Sequence, residues 1–254
     1  MKKVRYGIIQ RLLLLARRAI KAQKFGFFFY GTTHTPFPRQ LKLRGVRIPL
    51  SSPNDNGYQL DVLNVMLDDE YGIEKIPENI TTIVDVGANI GIFSLWAWAH
   101  FPNARVHAYE PNPKIIPYAK SNLLHAEVEF FCEGVGSRSY VATLVESKQS
   151  RMVQTLASAT GNIPITSLAT VVERIGGRVD LLKIDCEGAE WDIFLDLESL
   201  KRVGRIRMEY HLVGSRQVKD FEAAVERIQF VCEKIEEQGN HGIAWLVNKN
   251  QCVK

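Results

Sequence analysis

Acidic residues are missing from the start of this chain. No aspartate or glutamate occurs before Asp55, although residues 1–47 carry twelve Lys and Arg. The rest, residues 48–254, holds 20 basic against 28 acidic residues, a net of −8, so the overall charge of +4 conceals a basic head on an acidic body. An acidic body offers no cationic surface for a phosphate backbone, and no nucleic-acid partner is expected. Cysteine is also sparse. Cys132, Cys186, Cys232 and Cys252 are widely separated and contain no Cys-x-x-Cys pair, which argues against a metal cluster or a disulfide framework. Long apolar runs are absent too: Leu12–Ala16 is too short to span a bilayer and is bracketed by Arg11, Arg17 and Arg18. No small-residue cleavage site follows it, so a secretory signal is not expected and the cytoplasm is the default compartment. Finally, the Gly-x-Gly-x-x-Gly turn of dinucleotide-binding enzymes is missing, which disfavours a nicotinamide-dependent oxidoreductase.

What is present fits one large domain of 254 residues, 46% hydrophobic and 24% charged. Residues 4–21 read as a helix, with Ile8, Leu12, Leu15 and Ala19 on one stripe and Ile9, Leu13, Ala16 and Ile20 beside it. Gln10, Arg17, Arg18 and Lys21 fall opposite, and a run of aromatics from Phe25 to Tyr30 follows. Two readings stand. Residues 1–30 could lie on an anionic membrane surface, peripheral to its inner face, or carry an acidic partner. Alternatively the helix packs on the body or on a second subunit, with its charges solvated. Residues 1–50 are therefore read as a basic amphipathic extension and connector, and residues 51–254 as the functional domain.

Residues 31–57 are rich in turn formers, with a short strand near Leu41–Ile48, and Tyr58–Ile73 reads as a helix. From Thr81 strands and helices alternate. Strands are expected at Ile83–Val86, Arg105–Tyr109, Val128–Phe131, Val179–Ile184 and Arg205–Glu209. Helices are expected at Gly91–His100, Lys114–Leu124, Leu168–Ile175, Ala189–Leu197 and Val218–Ile228. Lys234–Glu237 and Ile243–Asn248 complete the set, the latter closing the sheet as an antiparallel pair, and Arg138–Asn162 has room for a hairpin. The pattern implies a doubly covered, mostly parallel seven-stranded α/β sheet. Ligands on such sheets bind beyond the carboxyl ends of the strands, so the residues just after each strand are the ones that matter.

Those residues form a constellation. Asp85 ends the first strand, and Gly87, Ala88, Asn89 and Gly91 make a tight turn into a helix. An acid before the first glycine would repel a pyrophosphate but suits a cation, such as the ammonium of a methionine-bearing nucleoside. Glu110 ends the second strand, where an acid can accept from ribose hydroxyls, and Pro111 and Asn112 stop that strand. Glu133-Gly134-Val135-Gly136 follows the third strand, placed to border an adenine. Each signal is weak alone, but together they recur after three successive strands in the order that one nucleoside needs.

Val84–Ser94, Tyr109–Pro113 and Lys183–Glu190 (Lys-Ile-Asp-Cys-Glu-Gly-Ala-Glu) resemble the FkbM family of S-adenosylmethionine-dependent methyltransferases, and Ile165–Leu168 resembles the segment preceding the last motif. The resemblance spans roughly residues 58–248. It implies a Rossmann-like class I methyltransferase fold and O-methylation of a hydroxyl on a sugar, glycan or secondary metabolite. The expected cofactor is S-adenosylmethionine, held by Tyr71, Asp85, Gly87, Ala88, Asn89, Gly91, Glu110, Pro111, Asn112, Glu133, Gly134, Val135 and Asp185. Of Tyr58, Tyr71 and Trp191, Tyr71 is best placed to fold over the methionine end.

Methyl transfer needs the acceptor oxygen aligned with the methyl carbon and benefits from proton removal. Glu187, Glu209 and His211 follow the fourth and fifth strands and are the candidate catalytic residues, His211 having the natural pKa of a base. Glu187 and Glu190 equally suit a helix N-terminus without any chemistry. A divalent metal on Asp185, Glu209 and His211 is possible but not favoured. The acceptor pocket is expected from segments 25–57, 138–162 and 211–217, with Arg138, Lys148, Arg151 and Arg216 admitting a sugar or an anionic group. The lack of an Asn-Pro-Pro-Tyr motif disfavours methylation of amines in RNA or protein. The remaining alternative is a cofactor-binding module without turnover, recruited by the basic head; an oligomer is possible.

Overall fold

The structure is a computed structural model describing residues 8–32, 34–53, 57–76, 79–146, 153–157 and 161–251. Residues 4–7 of the expected first helix, together with Lys148, Arg151 and Cys252, lie outside the described residues. In chain order the elements begin with α1 (Ile8–Lys24), a hairpin of β1 (Gln40–Leu43) and β2 (Val46–Pro49), and α2 (Tyr58–Asp61). The last runs on as a wide π-helix, Val62–Leu67, rather than the regular helix expected there; Asp68 N donates to Leu63 O five residues back. Then come β3 (Thr82–Val86), α3 (Ile92–His100), β4 (Arg105–Tyr109), α4 (Ile116–Leu123), β5 (Val128–Phe131) and β6 (Gly134–Gly136). The chain continues with β7 (Tyr140–Glu146), β8 (Val153–Ala157), β9 (Ile163–Ser167), α5 (Leu168–Arg174) and β10 (Val179–Ile184). It ends with α6 (Glu190–Ile193), α7 (Leu197–Leu200), β11 (Val203–His211), α8 (Val218–Arg227), β12 (Phe230–Glu237) and β13 (His241–Asn248).

The central sheet has seven strands in the order β12-β13-β11-β10-β3-β4-β5. All neighbours are parallel except β13, which runs antiparallel to both β11 and β12. The last strand thus enters antiparallel, as expected, and lies between β11 and β12. Burial explains its interior place. Gly242–Val247 are buried and suit an interior position, whereas β12 (Phe-Val-Cys-Glu-Lys-Ile-Glu-Glu) is charged enough to face solvent at the edge. The hairpin expected within 138–162 is present as β7 and β8, and it belongs to a second sheet of order β6-β9-β7-β8. The helix expected over Ala189–Leu197 is two short turns, α6 and α7, because Asp196 starts the second by accepting from Ser199 N.

Two apolar clusters flank the sheet. One unites α3 and the residues around β3 with Ala22, Phe25, Leu41, Leu43, Ile48 and Leu50. Residues up to 50 thus share a core with the body, and position 50 is not a packing boundary. Helix α1 packs on the body, but not with solvated charges as the second reading had it: Arg18 and Lys21 turn inward and their charges are paired, Arg18 with Asp68 and Lys21 with Glu74 at 2.6 Å. The second cluster joins α5, α8 and Ile193 to the other side of the sheet.

One buried cation ties the strand ends together. Val84 stands beside Leu182, and Asp85 beside Lys183. The Lys183 Nζ donates to Gly87 O at 2.7 Å and pairs with Asp85 at 3.1 Å and with Asp185 at 3.8 Å. Ser94 Oγ donates to the other Asp85 oxygen at 2.6 Å. Removing one partner of a buried ion pair leaves the other uncompensated. The substitution Lys183→Met is therefore expected to cost about 3–5 kcal/mol, read as a lower denaturant midpoint with an unchanged slope.

Candidate functional site

A cleft of about 890 Å³, counting all the space open within it, lies at the carboxyl ends of β3, β10 and β11. Its floor is the turn after β3. Gly87 has φ +74°, Asn89 +50° and Gly91 +88°, the left-handed region that glycine tolerates best. At Gly87 the lack of a side chain is also steric, since a Cβ there would sit 1.8 Å from Asp185 O. The turn is pinned from three sides. Gly87 N and Ala88 N both donate to Tyr109 O, Asn89 N donates to Glu110 Oε2 at 2.9 Å, and Lys183 holds Gly87 O.

Gly87, Ala88, Asn89, Tyr71, Asp185 and Glu209 all line the cleft, as their positions in the sequence led one to expect. Tyr71 donates its hydroxyl hydrogen bond to Asp185 Oδ2 at 3.1 Å and meets Phe93 edge-on at 5.4 Å. Other expected residues lie outside the lining. Asp85 is sealed from solvent between Lys183 and Ser94, so it is not presented to a ligand ammonium. Gly91 is packed on Leu123. Glu110 is buried and accepts from the backbone of Asn89 and of Asn112, bracing the turn, with Pro111 packed against Gly134.

The segment expected to border an adenine is instead a strand. Gly134–Gly136 pairs with β9, Val135 is in the core and Glu133 is bound by Arg174 at 2.8 Å. Its glycines answer to packing, for a Cβ on Gly134 would lie 2.6 Å from Ile165. The segments expected to build an acceptor pocket do not line the cleft among the described residues. Leu60, Asp61, Asn64, Val65 and Glu70, from α2, the π-helix and the turn after it, do so together with Gln238, His241 and Ile243. Trp191 donates to His211 O at 2.7 Å and stacks under Arg216.

The carboxylates crowd one another. Burial first, and then Asp185 nearby, push Glu70 and Glu187 up to about 7 and Glu209 up to about 8. Burial likewise holds Glu110 at about 7 against its two backbone hydrogen bonds. His211 corrects the sequence expectation. Burial alone would lower it, but Glu190 at 3.3 Å, Glu187 at 3.3 Å and Glu209 at 3.7 Å raise it to about 9. At neutral pH it is an imidazolium held among three acidic side chains, Glu190, Glu187 and Glu209, not a free base. Glu190, fully buried, completes the lock by accepting from His211 N at 2.6 Å and Gly188 N at 2.8 Å.

The histidine that faces the cleft is His241, directly across the strands from His211. Burial and the neighbouring His211 charge lower its pKa, so it is neutral, and its Nε2 lies 3.6 Å from Glu209. Sequence reasoning missed His241, Lys183 and Glu70. Lys183 left a signal, a cation near the carboxyl end of the strand Val-Asp-Leu-Leu-Lys-Ile, behind its apolar Leu-Leu pair. His241 left none, because only strand pairing brings it beside β11. Donor atoms of Asp185, Glu187 and His211 lie within 4.8 Å of one another, a grouping of the kind that can hold a metal ion, although here His211 is already engaged by carboxylates.

Glu70, Glu110, Glu187, Glu209 and His211 all have folded pKa values raised above their unfolded ones. Each contribution to stability is complete below the unfolded pKa and is lost as pH rises through the folded pKa. Between about pH 6.5 and about pH 9 the folded chain binds more protons than the unfolded chain, so stability falls as pH rises. The Tm of the ligand-free protein is expected to decline across that window in calorimetry; a flat or rising Tm would contradict the crowding.

Comparison with known proteins agrees with this architecture. The model of the methyltransferase FkbM domain matches residues 85–241, more than half of the chain. The chain is 26% identical over 174 residues to the methyltransferase sdnD of Sordaria araneosa, covering 51% of this chain and 64% of that one. It is 27% identical over 196 residues to the AMB antimetabolite synthetase AmbE of Pseudomonas aeruginosa, covering 58% of this chain and 9% of that one. The matches thus span less than two thirds of these relatives' own lengths. Among solved structures, the fibrillarin pre-rRNA processing protein of Methanococcus jannaschii superposes with a TM-score of 0.50 at 12% identity, covering 86% of this chain and 97% of that one, a likeness of fold alone. On the strength of the domain match, this chain is a member of the FkbM family of methyltransferases, built on a Rossmann-like sheet.

Proposed function

We propose that this protein transfers a methyl group from S-adenosylmethionine to a hydroxyl of a sugar, glycan or secondary metabolite. The observation that carries the reading is the charge of the cleft. Asp61, Glu70, Asp185 and Glu209 line it, against Lys183, which is already paired. Carboxylates that hold one another's protons are relieved by a cation and aggravated by a pyrophosphate. The residues present therefore fit a nucleoside bearing an ammonium and a sulfonium. Glu70 and Asp185 would face those charges, Gly87–Asn89 would border the nucleoside, and Glu110 braces the turn beneath it. When bound, S-adenosylmethionine supplies an electrophilic methyl carbon for in-line displacement.

The chain's own task is to position and deprotonate the acceptor. His241 is the residue for the second step, since it is neutral at pH 7, borders the cleft and has Glu209 beside it to orient the ring. Glu209, with its proton held to about pH 8, also offers the acceptor hydroxyl a hydrogen-bond donor. His211 keeps Glu187 and Glu190 in place and takes no proton from the acceptor.

Calorimetry is expected to show S-adenosylmethionine and S-adenosylhomocysteine binding and NADH not binding; NADH alone would overturn the assignment. His241→Asn is expected to lower kcat by about 10²–10⁴ while cofactor affinity is retained, and the wild-type rate should fall on the acid side only below the ordinary histidine range. An unchanged kcat would move the proton transfer to Glu209 or Glu187. Turnover is expected to survive a chelator, because His211 is already held by carboxylates; loss restored by magnesium would put a metal on Asp185, Glu187 and His211 instead.

A further inference from the structure

Helix α1 meets the body with its charged side. Arg18 donates to Asp68 through Nε at 2.7 Å and through its terminal nitrogen, Lys21 and Arg17 reach Glu74, and Ala22 and Phe25 enter the core beside Trp96. The opposite side carries Ile9, Leu12, Leu13 and Ile20, which are 74%, 61%, 65% and 69% exposed, with exposed Ala16 between them. Their spacing of three and four residues makes them one continuous stripe. Phe28 and Tyr30, both exposed with rings 6.3 Å apart, extend the apolar surface past the helix end. An amphipathic helix that met only water would turn this stripe inward; here ion pairs hold it outward.

We propose that this stripe docks the protein on an anionic lipid bilayer. Charge decides the occupant. Lys24 borders the stripe, and the β1–β2 hairpin, joined to the helix end by Lys42 N donating to Phe25 O, adds exposed Lys42, Arg39 and Arg47. The first 54 residues supply no acid of their own to answer them. A second copy seated on the same stripe about a two-fold axis would set these cations against their own twins, whereas an anionic headgroup layer neutralises them. No helix among the described residues is long and apolar enough to cross a membrane, so the mode is interfacial, with the apolar side chains in the headgroup boundary. The anchoring acids Asp68 and Glu74 bracket Glu70 and Tyr71 of the cleft, so a bilayer under α1 holds the cleft at a set distance from the lipid.

The test is co-sedimentation of the full chain with vesicles of phosphatidylcholine containing about one third phosphatidylglycerol, against vesicles of phosphatidylcholine alone. Binding is expected on the anionic vesicles only, weakened by salt, and reduced about tenfold or more by Leu12→Glu with Leu13→Glu. Both sites are exposed, so circular dichroism and Tm should not change. No binding to anionic vesicles, equal binding to neutral ones, or binding that survives the double substitution would overturn the proposal. So would a dimer, seen by light scattering, that the same substitutions dissolve.

Discussion

Lys183 carries a positive charge into the middle of a mostly parallel sheet, where water does not reach it. Burying an ammonium costs several kcal/mol unless it is answered locally. Three oxygens answer it: the Asp85 carboxylate, the Gly87 carbonyl and, farther off, Asp185. Through them one side chain joins the ends of β3 and β10 and holds the turn that floors the cleft. The same pairing occupies Asp85. Of the two aspartates that Lys183 pairs with, Asp185, bonded by Tyr71 and only loosely paired, is the one that faces the cleft.

The acids beyond β10 and β11 are organised by a second cation, the His211 imidazolium. Glu190 holds it from beneath and Glu187 and Glu209 from above, and Glu187 sits at φ +54° to do so. Two histidines with rings 6.1 Å apart consequently titrate in opposite directions. His211 is raised because carboxylates surround it, and His241 is lowered because it is partly buried next to His211. That division leaves a neutral imidazole on the cleft side and a fixed positive charge behind it, an arrangement suited to proton transfer near neutral pH.

Much of this was legible in the chain. The strands Arg105–Tyr109, Val128–Phe131 and Val179–Ile184 fall where their apolar runs predict, and the glycine turn, Tyr71, Asp185 and Glu209 come to the cleft as expected. The partners of the other expected site residues were not legible, for one shared reason. Asp85, Glu110 and Glu133 are acids after strands, a pattern that marks ligand contacts, yet each is consumed by a partner distant in sequence: Lys183, the backbone of Asn89, and Arg174. Gly134 and Gly136 read as a ligand-bordering turn, but Ile165 and Asp192 press on them instead. The charges of α1 read as solvated because Asp68 and Glu74, fifty or more residues away, are invisible to helical periodicity.

By itself the sequence determined the alternating α/β sheet, the family motifs and the glycine turn, because these depend on local spacing of apolar residues and on backbone dihedrals. Only the tertiary structure decided which acids remain available and which histidine can accept a proton. A carboxylate or imidazole takes its character from the charges and burial around it, and those neighbours come from other strands. The outward apolar stripe of α1 belongs to the same class. Its composition was written in the chain, but its direction was set by two ion pairs that form only after folding.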